Sequence, residues 1–144
     1  QLNVFKGHTE IVNSVKYGSN ELLNTILSGS DDESARLWDI RSGQQIQLFN
    51  GHTSFVFAVE YSPFVTKNSI GNSNVICSGS DDNTIRFWDI RSNKKELYVI
   101  KGDDEDGILC LKFIILKKKE KTNGINYDLN LCYGLGKGHI RIWE

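Results

Sequence analysis

Apolar and polar residues alternate over several short stretches of this chain. The alternation is clearest at residues 12–17 and 55–61, where Val, Phe and Tyr recur near every second position. A period of two is typical of a strand with one buried face. Further short apolar runs lie at residues 23–27, 35–38, 45–49, 75–77, 85–88 and 97–100. No stretch has the 3.6-residue period of an amphipathic helix, so the pattern predicts an all-β chain.

Turn-forming residues separate the predicted strands. Gly-Ser-Asp-Asp stands between the second and third strand of each set, and Arg-Ser-Gly or Arg-Ser-Asn stands between the third and fourth. Gly, Asn, Asp and Ser favour the backbone conformations of tight turns. The expected unit is therefore a four-stranded antiparallel sheet.

This unit recurs along the chain. Residues 28–42 read SGSDDESARLWDIRS and residues 78–92 read SGSDDNTIRFWDIRS, with 11 of 15 positions identical. Gly-His-Thr precedes each copy, at residues 7–9 and 51–53. A degraded third copy has Gly102-Asp103 in place of Gly-His and ends near Trp143. Self-similarity on this scale indicates a repeat architecture.

Four antiparallel strands per unit, with Gly-His early and Trp-Asp late, resemble the WD40 repeat family over the whole chain. The resemblance implies an all-β propeller segment of three four-stranded blades. The repeats are expected at residues 6–49, 50–100 and 101–144, with residues 1–5 as the outer strand of a preceding blade. Propellers close with about four to eight blades. Three blades would therefore belong to a larger ring, complete one by self-association, or form an unstable arc.

Composition narrows the function classes. The 144 residues suit one domain, and a net charge of −1 excludes a strong overall attraction to nucleic acid or an anionic membrane. The longest apolar stretch, residues 108–116, is too short to span a bilayer. The chain begins at Gln1 and contains no Met, which suggests a processed chain or a fragment. Cys77, Cys110 and Cys132 lack C-x-x-C spacing, which favours a reducing intracellular compartment, cytoplasmic or nuclear.

Two sets of His, Ser and Asp invite comparison with a hydrolase triad, in which His takes the proton of a Ser nucleophile. The resemblance to the WD40 family implies instead a buried structural hydrogen-bond network in each blade. The two networks would comprise His8, Ser28, Asp32 and Trp38, and His52, Ser78, Asp82 and Trp88. Structural contacts recur with each repeat, whereas catalytic triads seldom do. The structural role is therefore favoured, and the chain is expected not to be an enzyme.

The third copy lacks this network. Asp103, Tyr133 and Lys137 stand at the His, Ser and Asp positions, and only Trp143 is retained. This blade is therefore expected to be the least rigid of the three. His139 is expected to be an exposed strand residue.

Neither a metal nor a cofactor is predicted. The three His residues are far apart in sequence and have no paired ligand spacing. Residues 134–138, Gly-Leu-Gly-Lys-Gly, match neither common phosphate-loop spacing and precede no predicted helix. They are expected to form the strand–turn–strand of the third blade.

Two arginines are candidate partner contacts. Trp-Asp-Ile-Arg occurs twice, ending at Arg41 and Arg91, and looks like the WDxR motif of WD40 substrate receptors that dock on the adaptor of a cullin–RING ubiquitin ligase. A guanidinium group would supply a bidentate donor to that adaptor. The alternative interpretation is a common sequence variant at the end of a third strand.

Long connections are expected between the first two strands of the second and third repeats, at residues 62–74 and 117–127. Binding residues often lie in loops on a rigid scaffold, which makes Phe64 and Val65 candidate contacts. Lys117, Lys118 and Lys119 form a basic cluster that would attract an acidic partner. An acidic cluster at residues 103–106 is expected at the opposite face. Without interleaved aromatic residues, the lysines are weak evidence for nucleic acid.

The function predicted from these features is that of a non-catalytic protein–protein interaction scaffold. Its partners would be proteins or peptides, and no membrane is involved. Docking on a ubiquitin-ligase adaptor through Arg41 and Arg91 is the alternative.

Overall fold

The structure is a computed structural model. It describes residues 3–18, 22, 24–63, 74–92, 96–102, 106–119 and 125–143, with the backbone alone at 115–119 and 125–128. The strands are β1 (Val12–Tyr17), β2 (Thr25–Ser30), β3 (Ser34–Asp39), β4 (Gln45–Asn50), β5 (Val56–Tyr61), β6 (Val75–Ser80), β7 (Thr84–Asp89), β8 (Tyr98–Lys101), β9 (Ile108–Lys119), β10 (Ile125–Leu135) and β11 (Ile140–Trp143). No helix in these ranges is long and apolar enough to cross a membrane.

The strands form three antiparallel sheets in which chain neighbours pair. The first sheet has the order β1-β2-β3-β4, the second has β5-β6-β7-β8, and the third has β9-β10-β11. This arrangement confirms the predicted all-β fold and one sheet per repeat. The third sheet differs from the expected blade because it has three strands among the described residues.

The sheets pack face to face in series, with β1 beside β5 and β5 beside β9. We call β1, β5 and β9, the first strands of the three sheets, the innermost strands. One apolar cluster joins the first two sheets and a second joins the second and third. The first contains Leu27, Ala35, Leu37, Phe49, Val56, Val59, Ile76 and Trp88. Each core therefore lies between sheets, as a stack of propeller blades requires.

Residues 3–5 have no strand partner among the described strands, and their role as the outer strand of a preceding blade stays a prediction. A strand needs a neighbour for its backbone hydrogen bonds, and no described strand lies beside this segment. Its side chains nevertheless occupy the equivalent position, because the rings of Phe5 and Trp38 are 6.0 Å apart, as those of Phe49 and Trp88 are 5.7 Å apart.

The predicted connection at residues 117–127 is also wrong. Here β9 and β10 continue as a paired hairpin, in which Lys119 lies opposite Ile125 and Tyr127 opposite Lys117. The extra residues of the third repeat thus lengthen two strands, since pairing satisfies their backbone groups. The corresponding connection in the second repeat, including Phe64 and Val65, lies outside the described residues apart from its ends.

The turns between the second and third strands begin later than expected. Gly and Ser of Gly-Ser-Asp-Asp end β2 and β6, and only the residues that follow form the turns. Glu33 and Asn83 take positive φ angles of 65° and 61° there, a conformation uncommon for residues other than Gly.

Candidate functional site

The second sheet contains a chain of hydrogen bonds between four polar side chains. His52 Nε2 lies 2.8 Å from Ser78 Oγ, and His52 Nδ1 lies 2.8 Å from Asp82 Oδ2. The indole Nε1 of Trp88 donates to the same Ser78 oxygen at 2.9 Å. Ser78 and Trp88 lie on strands of the sheet and Asp82 on the β6–β7 turn, while His52 comes from the segment before β5.

The first sheet repeats this geometry. His8 Nε2 is 2.7 Å from Ser28 Oγ, and His8 Nδ1 is 2.9 Å from Asp32 Oδ2. Trp38 Nε1 donates to Ser28 Oγ at 2.8 Å. The structure therefore brings both predicted sets of four residues together.

The partners fix the direction of each hydrogen bond. An ionised carboxylate only accepts, so Nδ1 of His52 donates to Asp82, and in the tautomer protonated at Nδ1 the other ring nitrogen, Nε2, accepts from the Ser78 hydroxyl. Ser78 Oγ also accepts a hydrogen bond from the indole N–H of Trp88. All three side chains are thereby satisfied inside the sheet, where an unpaired polar group would be costly.

The carboxylates of these networks are held in the ionised form. Burial opposes ionisation of Asp32, but hydrogen bonds from Ser34, His8 and the backbone of Thr9 outweigh it and lower the pKa to about 2. For Asp82 too, hydrogen bonds from His52 and Thr84 outweigh burial, and the pKa lies well below its usual value.

Sequence reasoning missed the hydroxyl groups that complete each network. Ser34 Oγ donates to Asp32 Oδ1, and Thr84 Oγ1 donates to Asp82 Oδ1, both at 2.5 Å. Ser30 and Ser80 accept from the backbone N–H two residues on, at 3.1 Å in both copies. The signal was available, because a hydroxyl residue recurs at each of these positions in both repeats.

The third sheet is built differently at the same place. Tyr133 stands at the Ser position and is buried in the core between the second and third sheets. Trp143 is 36% exposed, whereas Trp38 and Trp88 are 2% exposed, and its ring lies 6.1 Å from that of Tyr98. A tyrosine thus replaces the serine that joins the polar network elsewhere. Asp103 lies outside the described residues.

Asp106 is buried rather than part of a solvated acidic loop. Its carboxylate accepts a hydrogen bond from the backbone N–H of Lys137 at 2.8 Å and so holds the β10–β11 turn. Residues 136–138 form this turn, as predicted. His139 is exposed but lies just before β11, so it is not a strand residue.

The two WDxR arginines lie at the end of the sheets remote from the networks, in the β3–β4 and β7–β8 turns. We call this the arginine end, and the end with the β2–β3 and β6–β7 turns the network end. Arg91 forms a fork with its own Asp89, since Nε and Nη2 donate to the two carboxylate oxygens at 3.1 Å each. The Arg91 hydrogen bond in turn lowers the pKa of Asp89.

Arg41 is exposed and differs from Arg91 in its contacts. Its backbone N–H donates to Asp39 at 2.7 Å, but its guanidinium has no hydrogen bond or ion pair within the described part of the chain. Beside it is a small groove of about 320 Å³ lined by Asn3, Val4, Ser42 and Gly43. Arg41 is therefore free to bind a carboxylate.

The candidate lysines also lie toward the arginine end. Lys117, Lys118 and Lys119 occupy the last three positions of β9, next to the β9–β10 connection. Because antiparallel strands alternate in direction, that connection and the β3–β4 turn lie at the same end of their sheets. Within the described ranges, no group of three or more His, Cys, Asp or Glu is placed to hold a metal ion.

Comparison with known proteins identifies the fold and its repeats. The family model described as WD domain, G-beta repeat matches residues 1–39 and 43–89. A crystal structure of the WD40 beta propeller domain of Doa1 aligns with 95% of this chain and 38% of its own, with a TM-score of 0.68 and 21% identity, which shows a shared fold.

Two curated relatives match shorter stretches. Transcription initiation factor TFIID subunit 5 of Caenorhabditis elegans is 36% identical over 75 residues, 49% of this chain and 11% of the relative. The E3 ubiquitin-protein ligase COP1 of Arabidopsis thaliana is 42% identical over 53 residues, 37% of this chain and 7% of the relative. The matched part of this chain thus spans about a tenth of the length of these relatives.

Three observations agree on the family. The hydrogen-bond network recurs in the first two sheets, the antiparallel sheets stack in series, and the family model matches most of both intact repeats. The chain belongs to the WD40 repeat family.

Proposed function

We propose that this chain is part of a non-catalytic protein–protein interaction scaffold. WD40 repeat proteins are generally such scaffolds, and two features of this chain support the same role. The His, Ser and Asp residues that resemble a catalytic set form hydrogen bonds with one another within the sheets. The exposed turns at the arginine end offer side chains for contacts, of which Arg41 is the clearest.

The burial of Ser78 argues against a catalytic role for the His-Ser-Asp sets. Ser78 is fully buried, and its hydroxyl oxygen accepts the Trp88 indole proton. A nucleophile needs access to its substrate. Ser78 lacks that access because it is buried, which favours a structural role.

Replacing Ser78 tests this assignment. Ser78→Ala leaves His52 and Trp88 without their shared partner inside the sheet. The free energy of unfolding should fall by about 1–3 kcal/mol, as measured by urea denaturation. Ser42→Ala in an exposed turn should change it by less than about 0.5 kcal/mol. A Ser78→Ala protein with unchanged stability would contradict the structural role.

A second candidate function is docking on the adaptor of a cullin–RING ubiquitin ligase. The observation that favours it is the guanidinium of Arg41, unpaired among the described residues, at the end of a WDxR motif. Arg91 serves as a matched comparison, because it has the same motif but an internal carboxylate partner.

This candidate is tested by binding of the purified adaptor to the full-length protein. We expect Arg41→Ala to weaken binding at least tenfold, about 1.4 kcal/mol, since a forked contact to a carboxylate is lost. Arg91→Ala should have a smaller effect. Equal effects of the two substitutions, or no binding by the unaltered protein, would rule out docking through Arg41.

Location inside the cell, in the cytoplasm or nucleus, is part of the proposal. Cys77, Cys110 and Cys132 are all free thiols, and Cys110 is exposed. An exposed free thiol is most compatible with a reducing compartment.

A further inference from the structure

The β9–β10 hairpin is about twice as long as its counterparts in the other two sheets. β9 has 12 residues and β10 has 11, whereas β1, β2, β5 and β6 have 6 each. Tyr17, Tyr61 and Phe113 are equivalent, because each pairs with the residue that lies opposite the tryptophan of its repeat. β1 and β5 end at these tyrosines, but β9 continues to Lys119. At about 3.3 Å per residue, the added part reaches roughly 20 Å further.

The added part has no strand beside either edge among the described residues. We call residues 114–119 of β9 and 125–130 of β10 the hairpin extension. β11 pairs with β10 only at residues 131–134, and β9 is itself an edge strand of the third sheet. Because the extension lies beyond the ends of β1 and β5, a further sheet with strands of that length would not cover it. Its outward backbone N–H and C=O groups are therefore available to another strand.

Lysines are concentrated along β9. Lys117–Lys119 end the strand, and Asp128 is the one acidic residue within the hairpin extension. Nearer the core, the carboxylate of Glu60 lies 3.7 Å from Nζ of Lys112 and 3.1 Å from Nζ of Lys16. Two lysines thus share one carboxylate there. The strand and its surroundings therefore have an excess of positive charge.

This charge selects the kind of strand that can pair with β9. Lysines on a free edge oppose pairing with a second copy of the same strand, because like charges would then lie side by side. They favour an extended segment that carries carboxylates. Nucleic acid would meet the charge but has no backbone N–H and C=O ladder to pair with a strand edge.

We propose that an extended acidic segment of a partner protein pairs with the free edge of β9 at residues 114–119. Main-chain hydrogen bonds to every second residue of β9 supply affinity, and carboxylates of the segment pair with Lys117–Lys119. This binding mode rests on the scaffold function proposed above and adds a surface that does not use Arg41.

Two peptides of equal charge separate strand pairing from simple charge attraction. One contains four Glu-Val repeats and the other four Glu-Pro repeats, and each is measured against the full-length protein by fluorescence anisotropy. Proline has no N–H to donate to a neighbouring strand. We expect the Glu-Val peptide to bind at least about tenfold more tightly than the Glu-Pro peptide.

Charge reversal of the lysines tests the site. Combining Lys117→Glu, Lys118→Glu and Lys119→Glu should weaken binding of the Glu-Val peptide at least about tenfold and remove most of its salt dependence. The matched control combines Lys6→Glu, Lys101→Glu and Lys137→Glu. These are three exposed lysines outside the extension, and their change gives the same net charge. The control should bind the peptide within about threefold of the unaltered protein.

Removing the hairpin extension is the second variant. Replacing residues 116–128 by Asn-Gly closes the hairpin with a two-residue turn between Ile115 and Leu129, which lie opposite each other. The Glu-Val peptide should then no longer bind. Thermal melts establish which variants are folded, and the charge-reversal pair carries the test if the shortened protein is not.

Equal affinity for the Glu-Val and Glu-Pro peptides would overturn strand pairing. So would equal weakening by the two charge-reversal variants, or tighter binding of a single-stranded RNA oligonucleotide than of the Glu-Val peptide. If neither peptide binds while Arg41→Ala weakens binding of the ligase adaptor, the scaffold function stands and only the hairpin proposal fails. If the adaptor does not bind either, both proposals fail.

Discussion

A serine bonded to a histidine that is bonded to an aspartate has the connectivity of a hydrolase triad. In this chain the same connectivity occurs twice, with a tryptophan N–H as an additional donor to the serine. Both serines are also buried, so a substrate cannot reach the oxygen that would attack it. The residue types alone therefore do not distinguish a catalytic from a structural role, whereas the burial of the serine does.

Acid should weaken the network by protonating its carboxylates. The pKa of Asp32 is about 2 in the folded chain against 3.8 for the free group. Because the folded value is lower, the stabilising contribution is present above the unfolded pKa and is lost as pH falls toward about 2. We expect Asp32→Asn to reduce the free energy of unfolding by about 1–3 kcal/mol at neutral pH. The difference in the free energy of unfolding between Asp32→Asn and the unaltered protein should become smaller near about pH 3.

Urea denaturation of both proteins across this pH range measures the effect. Glu33→Gln, at an exposed position in the same turn, is the control and should show no such trend. A deficit for Asp32→Asn that stays constant down to low pH would show that ionisation of Asp32 does not stabilise the fold.

At the scale of the strands, glycine sets the distance between sheets. Gly29 and Gly79 occupy equivalent positions in β2 and β6, facing the innermost strand of the next sheet. A Cβ at Gly79 would lie 2.6 Å from Cγ2 of Ile108, and one at Gly29 would lie 2.7 Å from Cγ1 of Val56. Both glycines therefore permit a close approach that alanine would prevent.

Gly79→Ala should push the second and third sheets apart. Overpacking of this kind typically costs about 1–3 kcal/mol in the free energy of unfolding. In the double variant with Ile108→Ala, the free energy of unfolding should fall by less than the sum of the two single effects. The second substitution removes the methyl group that would clash with the new Cβ. Strictly additive losses in urea denaturation would show that the two residues are not in contact.

Much of the strand arrangement was predictable from the sequence. Period-two patterning and turn residues located the strands through residue 101, because those strands are short and each repeat reinforces the other. The extension of β9 and β10 was not predictable. A run of charged residues such as Lys117–Lys119 indicates a loop unless its pairing with another strand is known. The outer strand expected at residues 1–5 stays a prediction, because its neighbours would belong to a preceding blade.

The site was predictable to a similar extent. The family resemblance supplied the four members of each network, and the structure joins them by hydrogen bonds of 2.9 Å or less. The difference between Arg41 and Arg91 was not visible in the sequence, because both end the same four-residue motif. Only the side-chain contact of Arg91 with Asp89 separates them.

At the scale of the molecule, equivalent positions in the first two sheets differ in burial. Val56 and Val59 of the second sheet are 0% and 1% exposed, because the first sheet covers them. Val12 and Val15 occupy the same positions in the first sheet and are 45% and 58% exposed. The groove they line with Trp38 and His8 measures about 310 Å³. We infer that a further blade covers this face, from a longer propeller or from a second copy of the chain.

The most direct test of the account compares Val15→Asp with Val59→Asp in the full-length protein by thermal denaturation. A charge buried without a partner is strongly destabilising. If the three sheets are a sector of a closed propeller, both substitutions should lower the melting temperature by a similar, large amount. If Val59→Asp unfolds the protein while Val15→Asp has no effect, the face of the first sheet is open to solvent and the propeller account is wrong.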